Sequence, residues 1–121
     1  MKILIVDDSK TMRMIVRRTI RQAGYDSAEV VEAPDGTDAL DMLAKQSFDL
    51  VLSDWNMLKM NGPDMLDALN KRGQAVPVGF VTSEGSDEMR LRATELGAKF
   101  LIAKPFTPET FREKIDLVLK H

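Results

Sequence analysis

Three carboxylates, one hydroxyl and one ammonium stand directly after four apolar runs in this chain. Asp7 and Asp8 follow Ile3-Leu4-Ile5-Val6, and Asp54 follows Leu50-Val51-Leu52-Ser53. Thr82 follows Val78-Gly79-Phe80-Val81, and Lys104 follows Phe100-Leu101-Ile102-Ala103. If these runs are parallel strands of one sheet, all five polar side chains emerge at one rim, where open α/β sheets bind ligands. Two like charges ~4 Å apart at an effective dielectric of ~20 repel by about 4 kcal/mol. Three acids gathered there call for a hard divalent cation, and the lysine offers a further positive charge. Taken singly, each residue has a plainer reading. The Asp7-Asp8 pair suits a helix N-terminus with Ser9 as cap, Asp54 suits a turn, and Lys104 suits an exposed surface. Their joint placement argues for a site.

The elements that must position them alternate five times between a short apolar run and a helix-length amphipathic segment. Strands are expected at 2–6, 28–32, 49–53, 78–81 and 100–103, with the second, more polar one at an edge. The first helix is expected over 10–23, with Met12, Ile15, Val16, Thr19, Ile20 and Ala23 inward and Gly24 as its stop. Asp35-Gly36 turns into the second helix, whose stripe is Ala39, Leu40, Leu43 and Ala44. Asn61-Gly62-Pro63 opens the third, with Met65, Leu66 and Leu69 inward; the fourth spans 87–96. Thr107 and Pro108 start the fifth, with Phe111, Ile115, Val118 and Leu119 as its apolar face. Such alternation implies right-handed crossovers and a parallel sheet.

Bulk properties narrow the function. A chain of 121 residues suits one domain over 1–121, with no separate output domain. Its net charge of −2 gives no general reason to expect nucleic acid as a partner. The basic spots at Arg17-Arg18 with Arg21, and at Arg90 with Arg92, are expected to be solvated helix faces. Without cysteine there is no disulfide, thiol nucleophile or thiolate metal site. No apolar stretch approaches a membrane span, and no signal peptide precedes the first strand, so a cytoplasmic protein with no membrane insertion is expected. The one histidine, His121, is the last residue, which argues against histidine catalysis.

Asp7-Asp8, Asp54-Trp55-Asn56-Met57, Val81-Thr82-Ser83-Glu84 and Lys104-Pro105-Phe106 together resemble a response-regulator receiver domain, and the resemblance covers the whole chain. Within that family the Asp54-Trp55-Asn56-Met57 run and the Asn56/Glu84 pair are most similar to stand-alone chemotaxis members. The resemblance implies a flavodoxin-like α/β fold with five parallel strands in the order 2-1-3-4-5 and helices on both faces. It implies Asp54 as the phosphoacceptor, its carboxylate becoming an acyl phosphate. It also implies Mg²⁺ held by Asp7, Asp8, Asp54 and the backbone carbonyl of Asn56, with Lys104 and Thr82 on phosphoryl oxygens. The formal charges of the three carboxylates, Mg²⁺ and Lys104 cancel. Asn56 and Glu84 are implied to tune how quickly water removes the phosphoryl group. The Lys104-Pro105 bond is implied to be cis. Trp55 is expected to be part exposed and to report on binding.

Two positions depart from the family pattern. Leu101 stands where an aromatic switch residue is usual; Phe100, one residue earlier, belongs on the opposite face of the strand. Motion of Thr82 is expected to survive that change. Leu58 stands where proline is common. On the fourth helix Met89 and Leu91 lie about 200° apart, so one of them faces outward. That outward residue is a candidate contact spot on a helix 4–strand 5–helix 5 output face.

The expected function is a phosphorylation-controlled binding module, monomeric, in two-component signalling of a chemotaxis type. Its partners would be a sensor histidine kinase and a downstream protein such as a flagellar motor switch or a phosphotransfer protein. A single-domain phosphorelay intermediate is the alternative. A haloacid-dehalogenase-like phosphatase is disfavoured because Asp7-Asp8-Ser9 lacks an Asp-x-Asp pattern. A flavin module is disfavoured because adjacent acids repel phosphate. The protein is expected to assist its own phosphorylation and dephosphorylation without being a conventional enzyme.

Overall fold

The computed structural model describes residues 1–119, so His121 lies outside the described residues. Strands β1 (Lys2–Val6), β2 (Glu29–Ala33), β3 (Leu50–Ser53), β4 (Val78–Thr82) and β5 (Phe100–Ala103) form one parallel sheet in the order β2-β1-β3-β4-β5. Between and after them run α1 (Lys10–Gln22), α2 (Gly36–Lys45), α3 (Gly62–Lys71), α4 (Asp87–Leu96) and α5 (Pro108–Leu119). The chain leaves β1 towards one edge and then crosses back to β3 on its other side. The strand order therefore reverses between β1 and β3, and a crevice opens at their carboxyl ends.

Side-chain alternation splits the core into two layers. Leu4, Val6, Val51, Val78, Phe80 and Leu101 face α2, α3 and α4 and pack with Ala39, Leu43, Met65, Leu69 and Leu96. Ile3, Ile5, Leu50, Leu52, Val81 and Ile102 face α1 and α5 and meet Val16, Ile20, Phe111 and Ile115. Because helices cover both faces, the central strands read as unbroken apolar runs and not as alternating ones. Phe100 packs on the α1/α5 side while Leu101 lies on the other, as expected.

The helices start where their caps dictate. Ser9, Asp35, Asn61 and Ser86 accept side-chain bonds from the N–H groups of Met12, Asp38, Asp64 and Met89. Thr107 Oγ1 does the same for Thr110 N–H at 3.2 Å. Each bond satisfies one of the orphan donors of a first helical turn and keeps the rim loops short.

Several expectations need correction. β2 begins one residue later than expected and runs through Ala33, because its register is set by pairing with the apolar β1 and not by its own polar sequence. Ala44 is exposed; at about 100° per residue it lies beyond the arc that Gly36, Ala39 and Leu43 bury. Arg17 and Arg90 are not simply solvated. Arg17 pairs with Glu32 at 2.8 Å, and Arg90 donates to the Gly85 and Leu101 carbonyls at 3.3 and 3.4 Å. On α4, Met89 packs against the core and Leu91 is the outward residue, 62% exposed.

Candidate functional site

The acids expected from sequence meet at the crevice. Oxygens of Asp7, Asp8 and Asp54 all lie within 4.8 Å of one another. Strand pairing produces this arrangement: Val6 sits beside Ser53 in the β1–β3 register, and Asp54 N–H donates to Val6 O at 2.8 Å. The residues that follow the two strands are thereby neighbours. Asp7 is buried, Asp54 half-buried and Asp8 exposed, so the cluster opens outward through Asp8.

Crowding shows in the acidities. Burial first, then the neighbouring Asp7 charge, pushes the Asp54 carboxyl up to about 6, against a Trp55 N–H bond and Lys104 that favour its charged form. Asp7 is pushed upward too, mainly by burial, with Asp8 adding to the effect. Asp54 Oδ1 accepts from Trp55 N–H at 2.8 Å, while Oδ2 takes no hydrogen bond from a described residue. The donor set is all hard oxygen, without imidazole or thiolate. That chemistry suits a small divalent cation such as Mg²⁺, which would also relieve the carboxylate repulsion.

Thr82 ends β4 with its side chain 1% exposed. Its hydroxyl accepts from Glu84 N–H at 3.2 Å, and its carbonyl takes Lys104 N–H at 3.0 Å, tying the ends of β4 and β5 together. Lys104 is exposed, its Nζ resting against Met12 Sδ at 3.2 Å. A thioether is a weak acceptor, so this contact parks the ammonium beside the cluster without committing it. The Lys104-Pro105 bond is cis. Asn56 and Glu84 are both exposed at the mouth, and Leu58 is 91% exposed in the same loop as Asn56. Trp55 is half-buried, its ring edge-on to Phe80 with centroids 4.9 Å apart.

Sequence reasoning passed over three residues that shape the site. Gly62 packs beneath the Asp54 carbonyl, Met12 receives Lys104, and Arg13 Nη1 donates to Asp7 O at 2.7 Å. The sequence clue for Arg13 is only its i,i+4 spacing from Arg17, which puts two guanidiniums on one face of α1. Gly62 left only its place beside Pro63 as a clue. Met12, expected inward from its helical spacing, is half-buried.

Comparison with known proteins agrees with this geometry. The sequence model of the response regulator receiver domain family matches residues 3–116. Chemotaxis protein CheY-3 of Vibrio cholerae serotype O1 is 42% identical, over 99% of this chain and 92% of its own length. Chemotaxis protein CheY of Pseudomonas aeruginosa is 40% identical, over 99% and 97%. The solved structure of Vibrio cholerae CheY4 superposes with a TM-score of 0.84 at 38% identity, covering 98% of both chains. The Francisella response regulator 1452 receiver domain, at 23% identity and a TM-score of 0.86 over 97% and 94% of the two chains, shares the fold. No helix among the described residues is long and apolar enough to cross a membrane. With the acidic rim, the strand order and these relatives in agreement, the chain belongs to the response regulator receiver domain family, the phosphoacceptor module of two-component signalling.

Proposed function

We propose that Asp54 is the phosphoacceptor of this receiver and that the protein signals by phosphorylation-dependent binding in a chemotaxis-type pathway. One observation carries the assignment: of the three clustered carboxylates, Asp54 lies between Asp7 and Asp8 on one side and the β4–β5 pair of Thr82 and Lys104 on the other. Its Oδ2 takes no hydrogen bond from a described residue, while Oδ1 is held by Trp55 N–H. The free oxygen attacks phosphorus, the bond from phosphorus to the donor histidine nitrogen breaks, and the imidazole leaves.

Asp7, Asp8, Asp54 and the Asn56 carbonyl would hold Mg²⁺, which when bound supplies the positive charge that phosphoryl oxygens need. Lys104 leaves its resting place on Met12 to meet one phosphoryl oxygen. The Thr82 hydroxyl, which accepts from Glu84 N–H, keeps its own proton to donate to another. That donation draws Thr82 inward and pulls the loop from Ser83 to Ser86 with it. Asn56 and Glu84 stand at the solvent entrance, where they regulate the approach of water to the acyl phosphate. In this sense the domain assists its own phosphorylation and dephosphorylation.

The donor is a sensor histidine kinase, and the output is a protein contact in the cytoplasm, for which a flagellar motor switch is the partner that the chemotaxis relatives suggest. The outward Leu91 on α4 belongs to that contact face. Leu101 reaches it only through the core, since its side chain is 8% exposed among Ala93 and Leu96.

The test is fluorescence of Trp55, the one tryptophan. Mg²⁺ followed by beryllofluoride, a phosphoryl mimic, is expected to shift the emission of the parent protein, and Asp54→Asn is expected to abolish the mimic-dependent step. An undiminished step in Asp54→Asn would refute the acceptor assignment.

A further inference from the structure

We propose that Arg13 is a positioning residue for the divalent-cation site: it fixes the peptide that carries Asp8, and Glu32 on β2 holds it in place. This rests on the reading of the acidic cluster as a Mg²⁺ site. Asp7 is anchored at three atoms. Its N–H donates to Ala33 O at 3.1 Å, its Oδ1 accepts from Ser9 N–H at 2.8 Å, and its carbonyl accepts from Arg13 Nη1 at 2.7 Å. The first two are backbone partners supplied by the fold. The third is a side chain, and the choice of arginine there is a property of this sequence.

The Asp7 carbonyl oxygen lies in the same planar peptide as the Asp8 nitrogen. Fixing that oxygen fixes the rotation of the plane, and hence the direction in which Asp8 leaves β1. Asp8 needs this help, because its exposed carboxylate takes no hydrogen bond from a described residue. A freely rotating peptide would let the outermost ligand swing away from Asp7 and Asp54.

Arg13 is itself held. Its Nε donates to Glu32 Oε1 at 2.9 Å, and Arg17 donates to Glu32 Oε2 through Nε at 3.0 Å and Nη2 at 2.8 Å. Arg17 Nη2 also reaches Val30 O at 3.1 Å, so the pair is pinned to the edge strand. Burial works against the charge on Glu32, but the two guanidiniums hold its carboxyl below the usual range. The Arg13 side chain is only 15% exposed. The arginine fork serves two acceptors at once, which a lysine with one nitrogen on a flexible stem does poorly.

The charge of Arg13 and its geometry act in opposite directions on a bound cation. As a nearby positive charge Arg13 repels Mg²⁺; as an anchor it holds Asp8 in range. The inference is that the anchor dominates. Mg²⁺ titrations of the full chain, followed by Trp55 fluorescence, decide it. Arg13→Met is expected to weaken Mg²⁺ binding by about tenfold, in the range seen when outer-shell partners of metal ligands are removed. Arg13→Lys is expected to recover part of that loss.

Arg17→Met removes a cation from the same network but leaves the Asp7 carbonyl contact, and is expected to bind Mg²⁺ within about twofold of the parent. Binding by Arg13→Met that equals or exceeds that of the parent would overturn the proposal. So would an equal loss in Arg17→Met, which would trace the effect to general loosening of β2. A parent protein that shows no saturable Mg²⁺ response, alone or against Asp8→Asn, would overturn the metal reading and the anchor with it.

Discussion

Gly62 and Asp54 touch through their backbones: a Cβ on Gly62 would stand 2.5 Å from the Asp54 carbonyl oxygen and 2.6 Å from the Phe80 ring. The acceptor strand therefore ends against the bare start of α3. Gly62 N–H also donates to Trp55 O at 2.9 Å, which closes the loop from 54 to 61 over the same spot.

Gly62→Ala is expected to displace that loop. Neither neighbour can yield easily, one being backbone and the other a fully buried ring. Overpacking of this kind costs about 1–3 kcal/mol. Urea unfolding should show that loss, and beryllofluoride affinity should fall with it because Asp54 and the Asn56 carbonyl move. Gly73→Ala, at a positive φ of 66° with open space around it, should destabilise the protein through backbone strain and leave mimic binding intact.

Asp54 gives the protein a pH-dependent stability that Mg²⁺ should reverse. Its folded pKa of about 6 lies above the ordinary 3.8, raised first by burial and then by Asp7. A raised acid binds its proton more tightly in the folded state. Its contribution to stability is therefore fully present below about pH 4 and is lost as pH rises through about 6. In chelator, the unfolding free energy of the parent from urea titration should fall across that window relative to Asp54→Asn, by on the order of 1–2 kcal/mol once solvent screening at this part-open site is counted. Adding Mg²⁺ should restore the midpoint at pH 7.5 and do little at pH 5, since the carboxylates must be deprotonated to bind.

Lys104 should separate metal binding from phosphoryl binding. In the resting protein its ammonium sits on Met12 Sδ, and its charge favours the ionised carboxylates of Asp7 and Asp54 as a minor effect beside burial. Lys104→Met removes a cation that repels Mg²⁺, so Mg²⁺ affinity should be unchanged or slightly higher. The same change removes a phosphoryl partner, so beryllofluoride affinity should drop by at least tenfold, the scale of one charge-assisted hydrogen bond of about 1.5–3 kcal/mol. Parallel loss of both affinities would mean that Lys104 serves the fold and not the phosphoryl group.

Much of this arrangement was legible in the chain. β1 and β5 follow directly from unbroken apolar runs, and their ends carry Asp7 and Lys104 where the pattern places them. β2 slipped because Glu29 and Glu32 interrupt its apolar pattern; its register comes from β1 across the ladder. Nothing in the linear sequence pairs Glu32 with Arg13 and Arg17; folding brings them opposite it from α1. Gly62 stayed invisible for a related reason. A glycine needed for close approach carries no local signature when its partners, Asp54 O and Phe80, come from other elements.

Leu101 stands where the family usually has a switching aromatic. Here the side chain is 8% exposed and packs within the layer that holds Phe80, Ala93 and Leu96. A leucine so placed has no polar tip to draw it outward, and leaving the core would cost roughly 1.5–3 kcal/mol of burial. Leu101 should therefore stay inward in both signalling states. Its carbonyl, which takes Arg90 Nη1 at 3.4 Å, is the part of β5 that α4 can feel. Leu101→Ala should destabilise the protein by about 2–5 kcal/mol through the cavity it leaves. Leu101→Met, close in volume, should cost under about 1.5 kcal/mol. In Leu101→Met the beryllofluoride-induced amide shifts of Thr82 and of the loop from 83 to 86 should persist at parental size. Loss of those shifts in a folded Leu101→Met protein would show that a side-chain rotation at 101 transmits the signal after all.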